Sequence, residues 1–287
     1  MKISEKLTGE NPAFSFEIFP PKKTSPIETI YKTLDELKDL SPDFISVTYG
    51  AGGGTANYST CKIAGDIKNK YNIESVAHLT CITNTKEDIL HILEEFKTNG
   101  IENILALRGD FNPNYPVRDD FKYADELVSF IKNHGDFCIM GACYPETHIE
   151  AHDSATDIQN LKRKVDAGVS RLISQLFFDN ECFYRFQEKL AGAGINVPVE
   201  AGIMPVTNRK QIERMVSLCG ASLPRKFSKV IQKYENNPEA LRDAGIAYAV
   251  DQIVDLLSSG ADGIHLYTMN NAYVARKITE SISGLLR

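Results

Sequence analysis

The sequence has no tryptophan, no Cys-x-x-Cys pair and no apolar run approaching the ~18 residues that a membrane-spanning helix requires. Its six cysteines, Cys61, Cys81, Cys138, Cys143, Cys182 and Cys219, are scattered along the chain. Zinc and iron–sulfur centres want clustered thiolates, so these residues read as reduced, mostly buried thiols. Basic charge is also short: the formal net charge is -6 and the pI is near 5.6. That balance argues against nucleic acid as a partner, because neutralising a phosphate backbone needs a basic face. No Gly-x-Gly-x-x-Gly opens a helix and no Walker loop is present, so neither a Rossmann dinucleotide site nor a P-loop is supported. The start, MKISEKLTGENPAFSF, carries charges where a signal peptide would need an apolar run. A cytoplasmic protein without membrane attachment is the expectation, with a small molecule as its partner.

Hydrophobic residues at 43% and charged residues at 24% are near globular averages, enough to build a sizeable core. One (β/α)8 barrel of roughly 250 residues would account for nearly all of the chain, and a single catalytic domain over residues 1–287 is expected. Short apolar runs alternate with amphipathic segments: FSFEIF, FISVTY, SVAHLT, NILALR, CIMGACY, RLISQLFF, VPVEAGIM and DGIHLYT. Strict strand–helix alternation calls for a parallel sheet, and eight repeats favour a closed barrel. Residues 206 to 260 depart from the rhythm and should hold two or three helices between the seventh and eighth strands. Capping boxes are expected at Ser25 with Glu28, Thr85 with Asp88 and Ser154 with Asp157, and helix stops at Asn99-Gly100, Ala167-Gly168 and Ser259-Gly260.

Alternate residues of a barrel strand face the helices and the interior. The apolar sets assigned to the helix side are Phe14, Phe16 and Ile18; Ile45 and Val47; Leu105 and Leu107; Ile264 and Leu266. The inward sets are polar: Ser15 and Glu17; Ser46 and Thr48; His78 and Thr80; Arg108 and Asp110; Tyr144; Gln175; Glu200; His265 and Tyr267. Each buried polar group left unpaired costs roughly 1–3 kcal/mol. Polar groups converging on the C-terminal mouth therefore point to an active site.

A metal-dependent barrel hydrolase commonly has a His-x-His pair on a strand, whereas this chain has His78-Leu79-Thr80. His148 and His152 fall in a proline-containing loop, and His91 and His134 read as surface histidines. No metal is expected. The glycine run at 50–54 could bring backbone close to a ligand or form a strand-to-helix loop. Asp157 and Lys164 share a helix face, which suits either a ligand or solvent. These residues alone reach a barrel enzyme but no reaction.

The motifs SFEIFPPK, FISVTYGAGGG, HLTC, ALRGD, ACYPETH, LKRKVDAG, QLFFD, AGIMPV and HLYTMN, in this order from about residue 13 to 280, closely resemble the methylenetetrahydrofolate reductases in their short bacterial form. The resemblance implies a barrel that holds FAD non-covalently and reduces methylenetetrahydrofolate to methyltetrahydrofolate, with NADH favoured over NADPH. The alternative is a catalytic subunit that takes electrons from a redox partner protein. A homo-oligomer is the expected assembly. Glu17 matches the general acid that protonates the leaving folate nitrogen so that the ring opens to an iminium, and its apolar setting is expected to keep it protonated. Asp110 matches an acid beside flavin and pterin, and Gln175 and Gln211 match folate positions, which Tyr267 joins. Thr48, Tyr49, Ala51, His78, Arg108, Gly109, Tyr123, Ala124, Tyr144, His148, Asp157, Asn160, Arg163 and Lys164 match positions lining FAD, Arg108 at the pyrophosphate. Relatives often read Leu-Asn-Arg where this chain has Met269-Asn270-Asn271, and alanine where it has Val169. Met215 falls near where an aromatic residue would stack on the nicotinamide cofactor's adenine.

Overall fold

The computed structural model describes residues 1–9, 11–21, 25–49, 55–111 and 116–286, with side chains at all of these except 55–59, 211 and 214. Eight strands are built: β1 (Ala13–Ile18), β2 (Phe44–Val47), β3 (Glu74–Thr80), β4 (Asn103–Leu107), β5 (Cys138–Cys143), β6 (Arg171–Ser174), β7 (Val199–Ile203) and β8 (Gly263–Tyr267). All neighbours pair in parallel, and β8 returns to β1, so the sheet closes in sequence order. This is the (β/α)8 architecture expected from the alternation of short apolar runs and amphipathic helices.

The helices follow their sequence signals, with two differences. They are α1 (Ile3–Lys6), α2 (Glu28–Leu37), α3 (Thr55–Tyr71), α4 (Lys86–Thr98), α5 (Ala124–His134), α6 (Ser154–Asp166), α7 (Asn180–Gly192), α8 (Arg209–Cys219), α9 (Arg225–Tyr234), α10 (Pro238–Ser258) and α11 (Ala272–Ile282). The capping box of Thr85 and Asp88 forms. That of Ser25 and Glu28 does not, because α2 begins two residues later than expected, capped from Ile27 without a side-chain hydrogen bond. At α6 the cap is Asp153, which accepts the Thr156 N–H at 2.7 Å. Ser154 is already helical, so Asp157 is released for another partner. Gly100, Gly168 and Gly260 follow their helices at positive φ of 73°, 130° and 82°, conformations in which a Cβ would be strained.

Strand parity divides the core. Phe14, Phe16, Ile18, Ile45, Val47, Ile264 and Leu266 pack outward with the helices in one large apolar layer. Leu105 and Leu107 were assigned to that layer from the sequence, but they point into the barrel, where Leu105 meets Phe44, Val76, Met140 and Ile173. The register explains the correction: Leu105 pairs with His78 and Leu107 with Thr80, both inward residues. β4 reads NILAL: its one polar residue, Asn103, shares the parity of Leu105 and Leu107, but the four residues after it are apolar on both faces, so the alternation near the mouth carries little signal. Ile3 of α1 closes the floor of this inner cluster, its N–H bonded to Asn103 Oδ1 at 2.7 Å.

Three helices, α8, α9 and α10, occupy the long connection between β7 and β8 and share a third apolar cluster with Leu176, Phe178, Met204 and Val206 at the strand ends. Phe227 stacks on Tyr248 at 3.9 Å between ring centroids. α10 is drawn close by Gly245, where a Cβ would lie 1.8 Å from the Val206 carbonyl oxygen. Backbone on one side leaves nothing flexible to yield. Gly245→Ala should therefore destabilise the protein by roughly 1–3 kcal/mol. Gly192→Ala, in open space on α7, should be neutral or stabilise by up to about 1 kcal/mol; thermal melts of the two variants check the contrast.

Candidate active site

At the C-terminal mouth the strand ends and the following loops enclose a cavity of about 1270 Å³. Glu17 from β1, His78 from β3 and Tyr267 from β8 line its deep part, with Gln175 just past β6. Thr48, Tyr49, Arg108, Gly109, Asp110, Tyr123, Ala124, Tyr144, His148, Asp157, Asn160, Arg163 and Lys164 line the rest. Every expected site residue whose side chain is described thus borders one space. Ala51 and the glycines of the run at 50–54 lie outside the described residues, as does the Gln211 side chain. Met215 and Met269 also border the cavity.

Glu17 is inward, as its alternation with Phe16 and Ile18 requires, but its neighbours are not apolar. Its Oε2 is 3.4 Å from His78 Nε2 and 3.5 Å from His265 Nε2, and Ser46 Oγ is 3.4 Å from the same His265 nitrogen. Burial pushes the carboxyl up. The hydrogen bond from His265, the nearby His78 and His265 rings and Ser46 outweigh that push and hold it below the ordinary glutamate value. The expectation of a carboxyl kept protonated by apolar surroundings is therefore overturned for the ligand-free protein. The phenylalanines that prompted it face the helices on the other side of the strand.

Behind Glu17 the barrel axis is polar. Ser15 Oγ donates to Glu200 Oε2 at 2.6 Å and is 2.7 Å from His265 Nδ1, while Arg171 Nη1 is 3.5 Å from Glu200 Oε1. Ser15, Glu200 and His265 are wholly buried and Arg171 nearly so. Buried polar heads persist only where hydrogen bonds satisfy them; Ser15 supplies one to Glu200, and Arg171 also donates to the Leu7 carbonyl at 3.4 Å. Arg171, an arginine in an otherwise apolar strand, was the sequence signal for this network. It went unread because its partner Glu200 lies on another strand.

Cationic groups border the opposite side. Arg108 holds Glu150 through Nη1 and Nη2, at 2.5 and 3.0 Å. Glu150, on an exposed loop, gave no sequence signal. Lys164 reaches inward to donate to the Ala142 carbonyl at 2.5 Å, and burial lowers its pKa. Asp157, free of the capping role, accepts the His148 N–H at 2.9 Å. Arg163 leans on Asn160 at 2.8 Å. Burial raises Tyr144, and raises Tyr267, whose hydroxyl donates to the Ser174 carbonyl at 2.7 Å, well above the ordinary value. Among the described residues His78 Nε2 is buried without a hydrogen-bond partner, although it borders the cavity.

The two departures from the expected motif pattern are structural here. Asn271 caps α11 by accepting the Val274 N–H at 3.2 Å, and Asn270 bonds the Phe19 backbone at both its N–H and its carbonyl. Val169 is buried, close to Gly141.

The sequence matches the family described as methylenetetrahydrofolate reductase over residues 2–283. It is 38% identical over 268 residues to the 5,10-methylenetetrahydrofolate reductase of Pectobacterium carotovorum subsp. carotovorum, covering 93% of this chain and 89% of that protein. It is 37% identical to the Escherichia coli (strain K12) protein of the same name, over 93% and 90%. It is 38% identical to methylenetetrahydrofolate reductase (NADH) 1 of Arabidopsis thaliana, over 94% of this chain and 49% of that one. Among solved structures it resembles a Clostridium thermocellum protein described as binding two copies of 5-methyl-5,6,7,8-tetrahydrofolic acid. The TM-score is 0.68, with 13% identity and 99% of each chain covered, a likeness of fold.

Burial moves His78 down from 6.5 to about 4. Between those values the unfolded chain binds the proton and the folded one does not, so stability falls as pH drops from 6.5 to 4. The loss from this one group reaches about 3 kcal/mol. Glu17, held below 4.5, adds its own loss only at lower pH. His78→Asn should flatten the slope of unfolding free energy between pH 6.5 and 4, measured by urea titration of the ligand-free protein.

Proposed function

The chain belongs to the methylenetetrahydrofolate reductase family and is an enzyme of that kind, and on that premise we propose that it reduces 5,10-methylenetetrahydrofolate to 5-methyltetrahydrofolate with FAD and NADH, residues 1–287 acting as one catalytic barrel. The observation that carries this reading is the cavity of about 1270 Å³ at the barrel mouth, with an acid at its floor and cations along its wall. It exceeds the roughly 300–1,000 Å³ of most single-ligand pockets, as a dinucleotide and a second ligand in one mouth require.

The residues present fit FAD. The Arg108 fork, which takes the Glu150 carboxylate through two parallel bonds, has the geometry that a pyrophosphate takes. Lys164 and Asp157 border the same cavity, suited to the ribose and adenosine end, and His78 Nε2 has a bond to offer. When bound, FAD supplies the two-electron chemistry between the nicotinamide cofactor and the folate. NADH is the donor by analogy with the plant relatives that carry it in their names.

Glu17 then has one task. The bridging carbon of the folate is a poor electrophile while two nitrogens hold it, and a proton on the leaving nitrogen opens the ring to an iminium. Glu17 faces the cavity from its floor and delivers that proton. Asp110, exposed at the rim, binds the pterin ring, with Gln175 and Gln211 as further contacts. Tyr267 contributes its ring, because its hydroxyl is already committed to Ser174.

The purified protein should be yellow and should oxidise NADH without a partner. A colourless protein or one inert to NADH would shift the reading to a subunit supplied by a redox partner. Glu17→Gln should retain flavin and NADH oxidation but lose folate reduction by roughly 10²-fold or more, the usual worth of a general acid. Retained folate turnover in that variant would remove Glu17 from its role.

A further inference from the structure

We propose that Glu200 is the buried store of the proton that Glu17 delivers, passed outward through Ser15 and His265; this rests on the reading of Glu17 as the proton donor.

Glu200, Ser15, His265 and Glu17 form a chain of polar atoms running from the sealed interior to the cavity floor. The successive separations are 2.6 Å from Glu200 Oε2 to Ser15 Oγ, 2.7 Å from Ser15 Oγ to His265 Nδ1 and 3.5 Å from His265 Nε2 to Glu17 Oε2. A serine hydroxyl has one proton to donate, and an imidazole joins its two nitrogens through one ring. The chain can therefore be filled with hydrogens in two ways. In the outward-charged form, Glu200 is a neutral acid donating to Ser15, Ser15 donates to Nδ1, and Nε2–H donates to the Glu17 carboxylate. In the other form every bond is reversed: Glu17 is the neutral acid donating to Nε2, Nδ1–H donates to Ser15, and Ser15 donates to the Glu200 carboxylate.

Conversion between them moves three protons by one bond each. The Glu200 proton goes to Ser15 Oγ, the Ser15 proton to Nδ1 and the Nε2 proton to Glu17. The net change is one proton transferred from Glu200 to Glu17, with no atom displaced beyond its hydrogen-bond distance. Each end of the chain has the neighbours this exchange needs. Glu200 faces Arg171 from β6, which balances the anion left behind, and feels Asp43, which opposes it. Glu17 faces His78 and His265, with Ser46 and Tyr267 beside it. The carboxyl directions agree with storage at the inner end: burial raises Glu200 above the ordinary value, while Glu17 is held below it. A carboxyl that rests as an anion can then still serve as a general acid, because its proton lies three transfers away, two across short bonds and the last across the 3.5 Å from His265 Nε2.

The test is the infrared band of a neutral carboxylic acid in the ligand-free protein at neutral pH, where ordinary exposed carboxyls are ionised. The band should be present in the wild type, disappear in Glu200→Gln and persist in Glu17→Gln and Ser15→Ala. Its absence from the wild type, or its loss in Glu17→Gln, overturns the assignment; both readings stand even where Glu200→Gln fails to fold. Ser15→Ala keeps both carboxyls and the Arg171 pair and cuts only the chain. It should slow folate reduction about tenfold or more, move the alkaline limb of its pH profile downward and respond to added imidazole. An unchanged rate and pH profile in Ser15→Ala would sink the relay while leaving Glu17 as the donor. Full folate turnover in Glu17→Gln would instead sink the reading on which the relay rests.

Discussion

The active site depends on one constraint: inside a closed parallel barrel, a polar side chain cut off from water must find its hydrogen-bond partners among the surrounding strands. β1 alternates strictly, so Phe14, Phe16 and Ile18 are committed to the helix layer and Ser15 and Glu17 to the interior. No water-facing exit exists for Ser15. It must bond within the barrel, and His265, its register partner on β8, and Glu200 on β7 provide that. His265 is the hub, with one nitrogen turned inward to Ser15 and the other toward Ser46 and Glu17. The mouth's acid is thereby tied to a second acid that solvent never reaches.

The lower half of the barrel is built differently and explains why this network is confined. Below the polar layer, Phe44, Val76, Leu105, Met140 and Ile173 fill the axis, and Ile3 seals it. Apolar packing closes one end, and the cavity lies at the other. Glu200 and Arg171 lie between them and face each other at 3.5 Å, so that neither polar head is left without a partner. On the rim, α8, α9 and α10 extend the wall with their own apolar cluster, anchored where Gly245 lets α10 approach the chain after β7.

Much of this was legible in the residues. Eight short apolar runs, the long connection before the last strand, the Thr85 cap and the inward aspect of Glu17 each follow from local periodicity or local hydrogen bonding. What was not legible depends on contacts between distant strands. The setting of Glu17 was misjudged because Phe16 and Ile18 are its neighbours in sequence, whereas His78 and His265, its neighbours in space, come from β3 and β8. The faces of β4 were reversed because only Asn103 at its start is polar and the ILAL that follows is apolar on both faces, whereas pairing with His78 and Thr80 fixes the inward parity. At α6 the box was assigned to Ser154 and Asp157, but Asp153, one residue earlier, accepts the Thr156 N–H and is the cap. The motif resemblance located the cavity's wall, but the pair of Arg171 and Glu200 had to be seen in three dimensions.

The central claim is that one cavity serves a nicotinamide cofactor and a folate in turn, with this chain providing both electron transfer and the proton. An anaerobic titration of the purified protein, followed in the visible spectrum, tests it directly. One equivalent of NADH should bleach the flavin absorbance, and one equivalent of methylenetetrahydrofolate, added without oxygen, should restore it. A flavin that NADH leaves oxidised, or one that is bleached and recovers only in air, would contradict the account.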